Sequence, residues 1–181
     1  MEILQLPEQA VPFSDAQDAV PFAVMKSGLG GRPGLLDTPV AVAVYQGTIL
    51  VLERGSNGRG FRRIQAFDVS ANPVKQFRNK STNILPLPED GSEYLDLGVD
   101  GLGYIFLLNV VNGGGSPNDY RLDVYDPEGN FITRTSGMAA GRLAVGLFRT
   151  VHTLNFETLT GSTRTEPTVS QWIPVTPGGC G

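Results

Sequence analysis

The chain has 181 residues, of which 40% are hydrophobic and 18% are charged, and its formal net charge at pH 7 is -4. These values are typical of a globular chain of one or two domains. The longest apolar runs are far shorter than the roughly 20 residues that cross a bilayer as a helix, so we expect no membrane insertion. The one cysteine, Cys180, excludes an intramolecular disulfide framework and a multi-cysteine zinc site.

The first residues of the chain differ from a secretory signal. They carry Glu2 and Glu8 in place of a positively charged start, and no long apolar run follows. We therefore expect a cytoplasmic protein or a component of a larger assembly. We interpret residues 1–19 as an N-terminal extension and residues 177–181 as a flexible tail.

Short apolar runs, separated by clusters of turn-forming residues, make up most of the remaining chain. The 23 glycines and 13 prolines lie largely between these runs, together with Asn, Asp and Ser. No longer segment has the spacing of apolar residues that an amphipathic helix requires. The pattern therefore predicts an all-β protein of many short antiparallel strands.

One ordered set of predicted strands recurs three times, at about residues 39–78, 94–136 and 142–176. The first strand of each copy is apolar, and these strands are Val40 to Val44, Leu95 to Val99 and Leu143 to Leu147. The second strands begin at Ile49, Ile105 and Val151. The third strands join an aliphatic residue to a later aromatic one, and they are Ile64 to Phe67, Leu122 to Tyr125 and Val169 to Trp172.

A fourth strand is predicted in the first two copies, where Asp68 to Phe77 aligns without a gap on Asp126 to Thr135. Both segments open with a turn rich in Ser, Asn, Gly or Pro. The third copy lacks a fourth strand after Trp172. Val20 to Lys26 precedes the first copy, where the outer strand of an earlier unit would belong, so we assign residues 20–176 to one repeat array.

Four antiparallel strands in about 40 to 50 residues are the unit of a β-propeller blade. Within that class the copies resemble NHL repeats, over about residues 20–174. The first copy supplies Pro39, Gly47, Arg63-Ile64 with Phe67, and Asp68, and the second supplies Asp100-Gly101, Arg121-Leu122 with Tyr125, and Asp126. The third copy departs from the pattern, since no Asp follows Trp172. The resemblance implies a partial β-propeller of about three four-stranded blades, and the alternative is another β-sandwich or barrel.

Three blades do not close a ring. Propellers typically hold 4 to 8 blades, and an arc of three leaves two radial faces uncovered. Further blades of a longer protein, a second copy of this chain in a six-bladed ring, or an unrelated partner would cover those faces. A basic stretch from Arg54 to Lys80 and an acidic stretch from Glu89 to Glu128 would attract each other as neighbouring blades, or form two solvated faces.

The residue types that catalysis needs are scarce. His152 is the one histidine, and we interpret it as a half-buried structural residue on the strand face opposite Val151 and Thr153. Oxygen-bearing residues between Asp96 and Asp119 raise the question of bound Ca²⁺, but they form no calcium-loop motif. No catalytic residue, metal or cofactor is therefore predicted.

The loops between second and third strands vary in length and are expected at one end of the blades. They span Gly55 to Phe61, Val111 to Asp119 and Glu157 to Thr168. We predict that they bind a protein partner or mediate self-association. The predicted binding residues are Arg54, Arg59, Phe61, Arg62, Asn112, Asn118, Asp119 and Arg164.

A non-catalytic interaction module or scaffold is the leading interpretation, and it has three alternatives. Clustered arginines beside Phe61 suit single-stranded nucleic acid, but the net negative charge of the chain opposes phosphate binding, so nucleic acid is not the expected partner. One alternative is a propeller enzyme of lyase or hydrolase type whose site needs blades from a partner. The other is a carbohydrate-binding surface module.

Overall fold

The computed structural model describes residues 31–54, 61–76, 82–137, 141–147, 150–158 and 165–172. For residues 155–158 and 165–172 only the backbone is described. Several features predicted from the sequence lie outside these residues: the N-terminal extension, the strand Val20 to Lys26, Arg59, Arg164 and the flexible tail.

Antiparallel β-sheets make up nearly all of the described structure. Eleven strands form three sheets, and the helical content of the described residues is two 3₁₀ turns, Asn112–Gly114 and Pro117–Asp119. The prediction of an all-β protein is confirmed. The sheets do not close on one another within the described residues.

The first sheet contains four strands in the order in which they occur along the chain. They are β1 (Pro39–Tyr45), β2 (Thr48–Glu53), β3 (Arg63–Phe67) and β4 (Ile84–Pro86). β1 and β2 are joined by a two-residue turn in which Gln46 and Gly47 have φ angles of 47° and 74°. Positive φ at both central residues matches the right-handed twist of the strands, and glycine adopts such angles without strain.

The second and third sheets repeat this order. The second contains β5 (Glu93–Val99), β6 (Ile105–Val110), β7 (Tyr120–Tyr125) and β8 (Phe131–Ser136), and the third contains β9 (Arg142–Val145), β10 (Val151–Thr158) and β11 (Thr165–Trp172). The register confirms how the copies align. The first residue of each predicted second strand lies opposite the aromatic of the third, as Ile49 opposite Phe67, Ile105 opposite Tyr125 and Val151 opposite Trp172.

The fourth strand of the first copy differs from its prediction. The alignment of Asp68 to Phe77 with Asp126 to Thr135 holds through the turn, and Pro73 forms a bridge to Phe67 as Phe131 pairs with Tyr125. In its described residues beyond Pro73, this segment forms no strand along β3. The edge of β3 that it would occupy is instead paired with β4, Ile84–Pro86. The first sheet therefore extends past residue 78, where the first copy was expected to end.

A five-residue turn closed by an aspartate occurs three times, at Asp68, Asp100 and Asp126. In each, the aspartate N–H donates to the carbonyl four residues later, and its own carbonyl accepts from the N–H three residues later. Its carboxylate accepts further backbone N–H groups within the turn. The fourth residue has a positive φ, which explains glycine at 103 and 129.

The three sheets pack face to face in chain order. Between the first and second sheets lies the largest apolar core, built from Leu50, Leu52, Ile64 and Ala66 on one side and from Leu97, Ile105, Leu107 and Tyr125 on the other. The opposite face of the second sheet, with Phe106, Leu122 and Val124, packs against Val151, Leu143 and Val145 of the third sheet. Burial on both faces explains why β2, β3, β6 and β7 consist of nearly continuous buried residues.

The face of the first sheet that points away from the second sheet is also covered. Leu36 packs there against Val51 and Phe67, and all three side chains are buried. Part of the face that was expected to need covering by further blades, a second copy or a partner is therefore covered by Leu36 of the chain itself. No helix in the described residues has the length and apolar character to span a membrane.

Candidate interaction surface

The loop between β6 and β7 is held by its own side chains. The Asp119 carboxylate accepts from the Asn112 amide at 3.2 Å and from the Ser116 N–H at 2.8 Å, and the Ser116 hydroxyl accepts from the Asn118 N–H. The Val111 N–H donates to the Asp119 carbonyl and closes the base of the loop. Asn112 and Asn118 are exposed, so the three residues predicted from this loop lie together on an ordered surface.

The corresponding residues of the first sheet present an arginine and an aromatic ring. Arg54 follows β2 and forms an ion pair with Glu93 at 2.6 Å, and both side chains are about half exposed. The Phe61 ring is 45% exposed, and the guanidinium carbon of Arg63 lies 4.8 Å from the ring centre. Arg62 beside it is partly buried.

The Arg54–Glu93 pair also relates the two loops in space. Glu93 begins β5 and lies opposite Val110 at the end of β6. The chain therefore leaves β2 and β6 at the same end of the stacked sheets. The pair joins the basic and acidic stretches of the sequence, but an exposed ion pair contributes only about 0–1 kcal/mol.

A buried ionic network anchors Arg63 beneath Phe61. Arg63 and Glu53 lie opposite each other on β3 and β2, and the Arg63 Nε donates to Glu53 Oε2 at 2.7 Å. Arg63 also donates to the backbone carbonyls of Gly31 and Leu35. Gln65 adds bonds to Glu53 and Leu35. Glu53, Arg63 and Gln65 are at most 2% exposed as whole residues, so the network fixes residues 31–37 on the first sheet.

A second ionic network lies in the second sheet. Arg134 of β8 donates two hydrogen bonds to the fully buried Asp123 of β7, at 2.6 and 2.8 Å, and a third to Asp90 at 3.0 Å. Burial raises the pKa of Asp90, but hydrogen bonds from Ser92 and Arg134 outweigh it, so this pKa lies below its usual range. The hydrogen bond from Arg134 to Asp123, followed by the charge of Asp123 and by the bond to Asp90 and its charge, raises the pKa of Arg134 although burial lowers it.

Three buried side chains near Asp123, those of Asn109, Tyr94 and Tyr125, have polar atoms without a hydrogen-bond partner among the described residues. These atoms are the oxygen and nitrogen of the Asn109 amide and the two tyrosine hydroxyl oxygens. Burial, with the charge of Asp123, raises the pKa of Tyr125 to about 12, and burial raises that of Tyr94 further. Asn109 and Tyr94 are fully buried and Tyr125 nearly so, so this group is enclosed between the first and second sheets.

The acidic residues considered for Ca²⁺ serve as hydrogen-bond acceptors within the fold. Asp96 accepts from the N–H groups of Leu97 and Leu143, and Asp100 closes the turn before β6. In the described part of the chain, no group of three or more His, Cys, Asp or Glu side chains is placed to hold a metal ion. His152 lies on the strand face opposite Val151 and Thr153, as expected, and is partly buried.

The two buried networks are the features that the sequence patterns did not reveal. Glu53 and Asn109 occupy equivalent places in β2 and β6, as do Gln65 and Asp123 in β3 and β7. A polar residue at a core position in two aligned copies was a usable signal, because a buried polar group needs a partner. No protein-family model matches the chain, and a search of curated proteins found no significant match.

Proposed function

We propose that the chain is a non-catalytic, propeller-like interaction module that binds a protein partner through the loops at one end of its stacked sheets. The observation that carries the proposal is the joint exposure, at that end, of Phe61 and of the ordered loop that presents Asn112 and Asn118. An arginine beneath an exposed aromatic ring, next to polar groups, is the composition of energetically important sites in protein interfaces.

The anchoring of Phe61 supports a binding role. Its ring rests on Arg63, which is buried and bonded to Glu53. A side chain held in place before binding loses little conformational entropy when a partner covers it. The loop from Asn112 to Asp119 is ordered by the same principle, since its hydrogen bonds are internal.

A propeller-like arrangement is the finer part of the proposal. It is supported by three antiparallel sheets of one strand order, by face-to-face packing in chain order, and by loops that leave consecutive sheets at the same end. Propellers use such loops for binding while the strands supply a rigid frame. A second chain or a larger assembly then completes the arc.

A protein partner is favoured over nucleic acid by how the arginines are used. Arg63 is buried and paired with Glu53, and Arg54 is paired with Glu93. These two charges are therefore not free for phosphate contacts, and the chain as a whole is acidic.

Capture with cross-linking tests the proposal. The purified chain is immobilised, exposed to soluble proteins of its source cell and cross-linked, and the linked positions are mapped by mass spectrometry. We expect the links to fall within residues 54–62 and 111–119. The double variant Phe61→Ala with Asn118→Ala should reduce capture of the linked protein at least about tenfold, the loss expected for a residue at the centre of an interface.

Phe131→Ala is the matched control. Phe131 is an aromatic residue of similar exposure, at 53%, and it follows the Asp126 turn at the opposite end of the second sheet. It should leave capture unchanged, as should His152→Ala. Capture that survives the double loop variant, or links that map to the Asp126 turn, would contradict the proposal.

A further inference from the structure

The inner strands β1, β5 and β9 form a continuous stack through the molecule. In each of them, two aliphatic side chains lie on the face directed toward the start of the stack, and a small residue between them lies on the face directed toward its end. The register defines the equivalent positions, since Val44, Val99 and Val145 lie opposite Ile49, Ile105 and Val151. The small residues Ala43, Gly98 and Ala144 lie opposite Leu50, Phe106 and His152.

The two junctions inside the chain are built in the same way. At the first, Leu97 and Val99 of β5 share a core with Ala41 and Ala43 of β1, and the two strands are in contact. At the second, Leu143 and Val145 of β9 press on Gly98 of β5. A methyl group on Gly98 would overlap Val145 Cγ2 and lie 2.7 Å from Leu143 Cδ1.

Within the described residues, the two ends of the stack carry halves of this junction that have no counterpart. On β1 the equivalent aliphatic pair is Val42 and Val44, and these side chains are 62% and 66% exposed. On β9 the equivalent small residue, Ala144, is exposed. One end of the stack therefore presents the aliphatic pair Val42 and Val44. The other end presents the surface around Ala144, which we call the receiving surface.

We propose that Val42 and Val44 dock on the surface around Ala144 of a second copy of this chain, in the same way that Leu143 and Val145 dock on Gly98. This inference rests on the propeller-like stacking proposed above. A second copy is the occupant because one chain holds both halves, in the order that its internal junctions use. Two such contacts related by a twofold axis close a pair of chains.

The docking surface is narrower than the internal junctions. Leu36 already covers Val51 and Phe67 on the same face of the first sheet, so the incoming copy meets the inner strand and not the whole sheet. A contact of limited area gives a reversible dimer whose population depends on protein concentration.

Light scattering over a dilution series tests the proposal on the full chain. We expect the wild-type chain to reach twice its monomer mass at high concentration. Val42→Asp with Val44→Asp, and separately Ala144→Arg, should each weaken dimerisation at least about tenfold. These side chains are exposed within one chain, so the substitutions should leave the circular dichroism spectrum unchanged. Val69→Asp is the control, because Val69 is 60% exposed but lies in the Asp68 turn.

Mixing the two interface variants tests the head-to-tail arrangement. The Ala144→Arg chain keeps the aliphatic pair and the Val42→Asp, Val44→Asp chain keeps the receiving surface, so a mixture should form a mixed dimer with one intact contact. A wild-type chain that stays monomeric at every concentration overturns the proposal. So does a dimer that only the Val42 and Val44 variant disrupts, since that result indicates like-to-like docking. If these variants dimerise as well as the wild-type chain while capture still depends on the loops, this inference alone is overturned and the proposed function stands.

Discussion

The first and second sheets place polar residues at the same positions but satisfy them differently. In the first sheet, Glu53, Arg63 and Gln65 bond to one another and to backbone carbonyls of residues 31–37. In the second sheet, Asp123 is paired with Arg134, whereas the amide of Asn109 has no partner among the described residues. Both sets lie on the face directed toward the earlier part of the chain. For the first sheet this part is residues 31–37, and for the second sheet it is the first sheet.

The neighbour on that face explains the difference. Residues 31–37 offer carbonyl groups to the first sheet, and these groups accept from Arg63 and Gln65. The second sheet meets the apolar side chains Leu50, Leu52 and Ile64, which can neither donate nor accept a hydrogen bond. A polar side chain at this repeated position therefore stabilises the fold where the facing surface offers hydrogen-bond partners, and destabilises it where that surface is apolar.

Glu53→Leu should have the largest effect. It leaves the Arg63 guanidinium buried without its carboxylate, and breaking a buried ion pair in this way costs about 3–5 kcal/mol in the free energy of unfolding. Urea denaturation measures the change. Arg54→Ala, which breaks the exposed pair with Glu93, should cost about 0–1 kcal/mol. Equal losses in the two variants would contradict the account.

Gly98→Ala should have the next largest effect, because the added methyl group meets Val145 and Leu143 at the second junction. Overpacking of this kind costs about 1–3 kcal/mol. Gly115→Ala is the matched control, since a Cβ on Gly115 would meet only Asp119 Oδ2, at an ordinary contact distance of 4.0 Å, and its φ is -71°. Thermal unfolding of the two variants compares them, and a Gly98→Ala chain as stable as the control would show that β5 and β9 are not tightly packed.

Asn109→Leu should change stability in the opposite direction from Glu53→Leu. The amide makes no hydrogen bond among the described residues, so replacing it with an apolar group of similar volume removes a desolvation penalty of about 1–2 kcal/mol. The midpoint of urea unfolding should therefore rise. A fall in the midpoint would indicate that the amide is hydrogen-bonded, for example to buried water.

Tyr125→Phe removes a buried hydroxyl group that has no partner among the described residues, so it should raise stability slightly at neutral pH and have its clearest effect in alkali. The folded pKa of about 12 lies above the unfolded value near 10, so the neutral phenol favours the folded state. This contribution is complete below pH 10 and is lost as pH rises toward 12. Unfolding midpoints measured from pH 9 to 12 should fall less steeply for the variant than for the wild type, and parallel curves would contradict the assigned burial.

Repetition in the sequence predicted most of the fold. The Gly-rich and Pro-rich turns, and the recurrence of strands at Val40, Leu95 and Leu143, located the strands of three sheets. The fourth strand of the first sheet could not be placed this way. Pro73 lies where the strand should continue, and it cannot donate to a ladder, so the pairing passes to Ile84–Pro86.

The candidate surface was predictable only in part. The loop residues Asn112, Asn118 and Asp119 do lie together, because turn-forming residues satisfy one another locally. The anchoring of Phe61 was not predictable. It depends on Arg63 facing Glu53 across two strands and on carbonyl groups of residues 31–37, and these contacts exist only once the chain has folded.

Disulfide trapping tests most directly the claim that the stack of inner strands continues into a second copy. Val145 Cβ lies 3.1 Å from the place of a Cβ on Gly98, so a small outward shift brings the pair to the roughly 3.5–4.5 Å Cβ separation of a disulfide. Val44 and Ala144 are the equivalent pair between chains. In a Cys180→Ser background, Val44→Cys with Ala144→Cys should form a covalent dimer on mild oxidation, while Gly98→Cys with Val145→Cys should cross-link within one chain. An internal cross-link without a dimer, or a dimer formed by Val44→Cys alone, would contradict the claim.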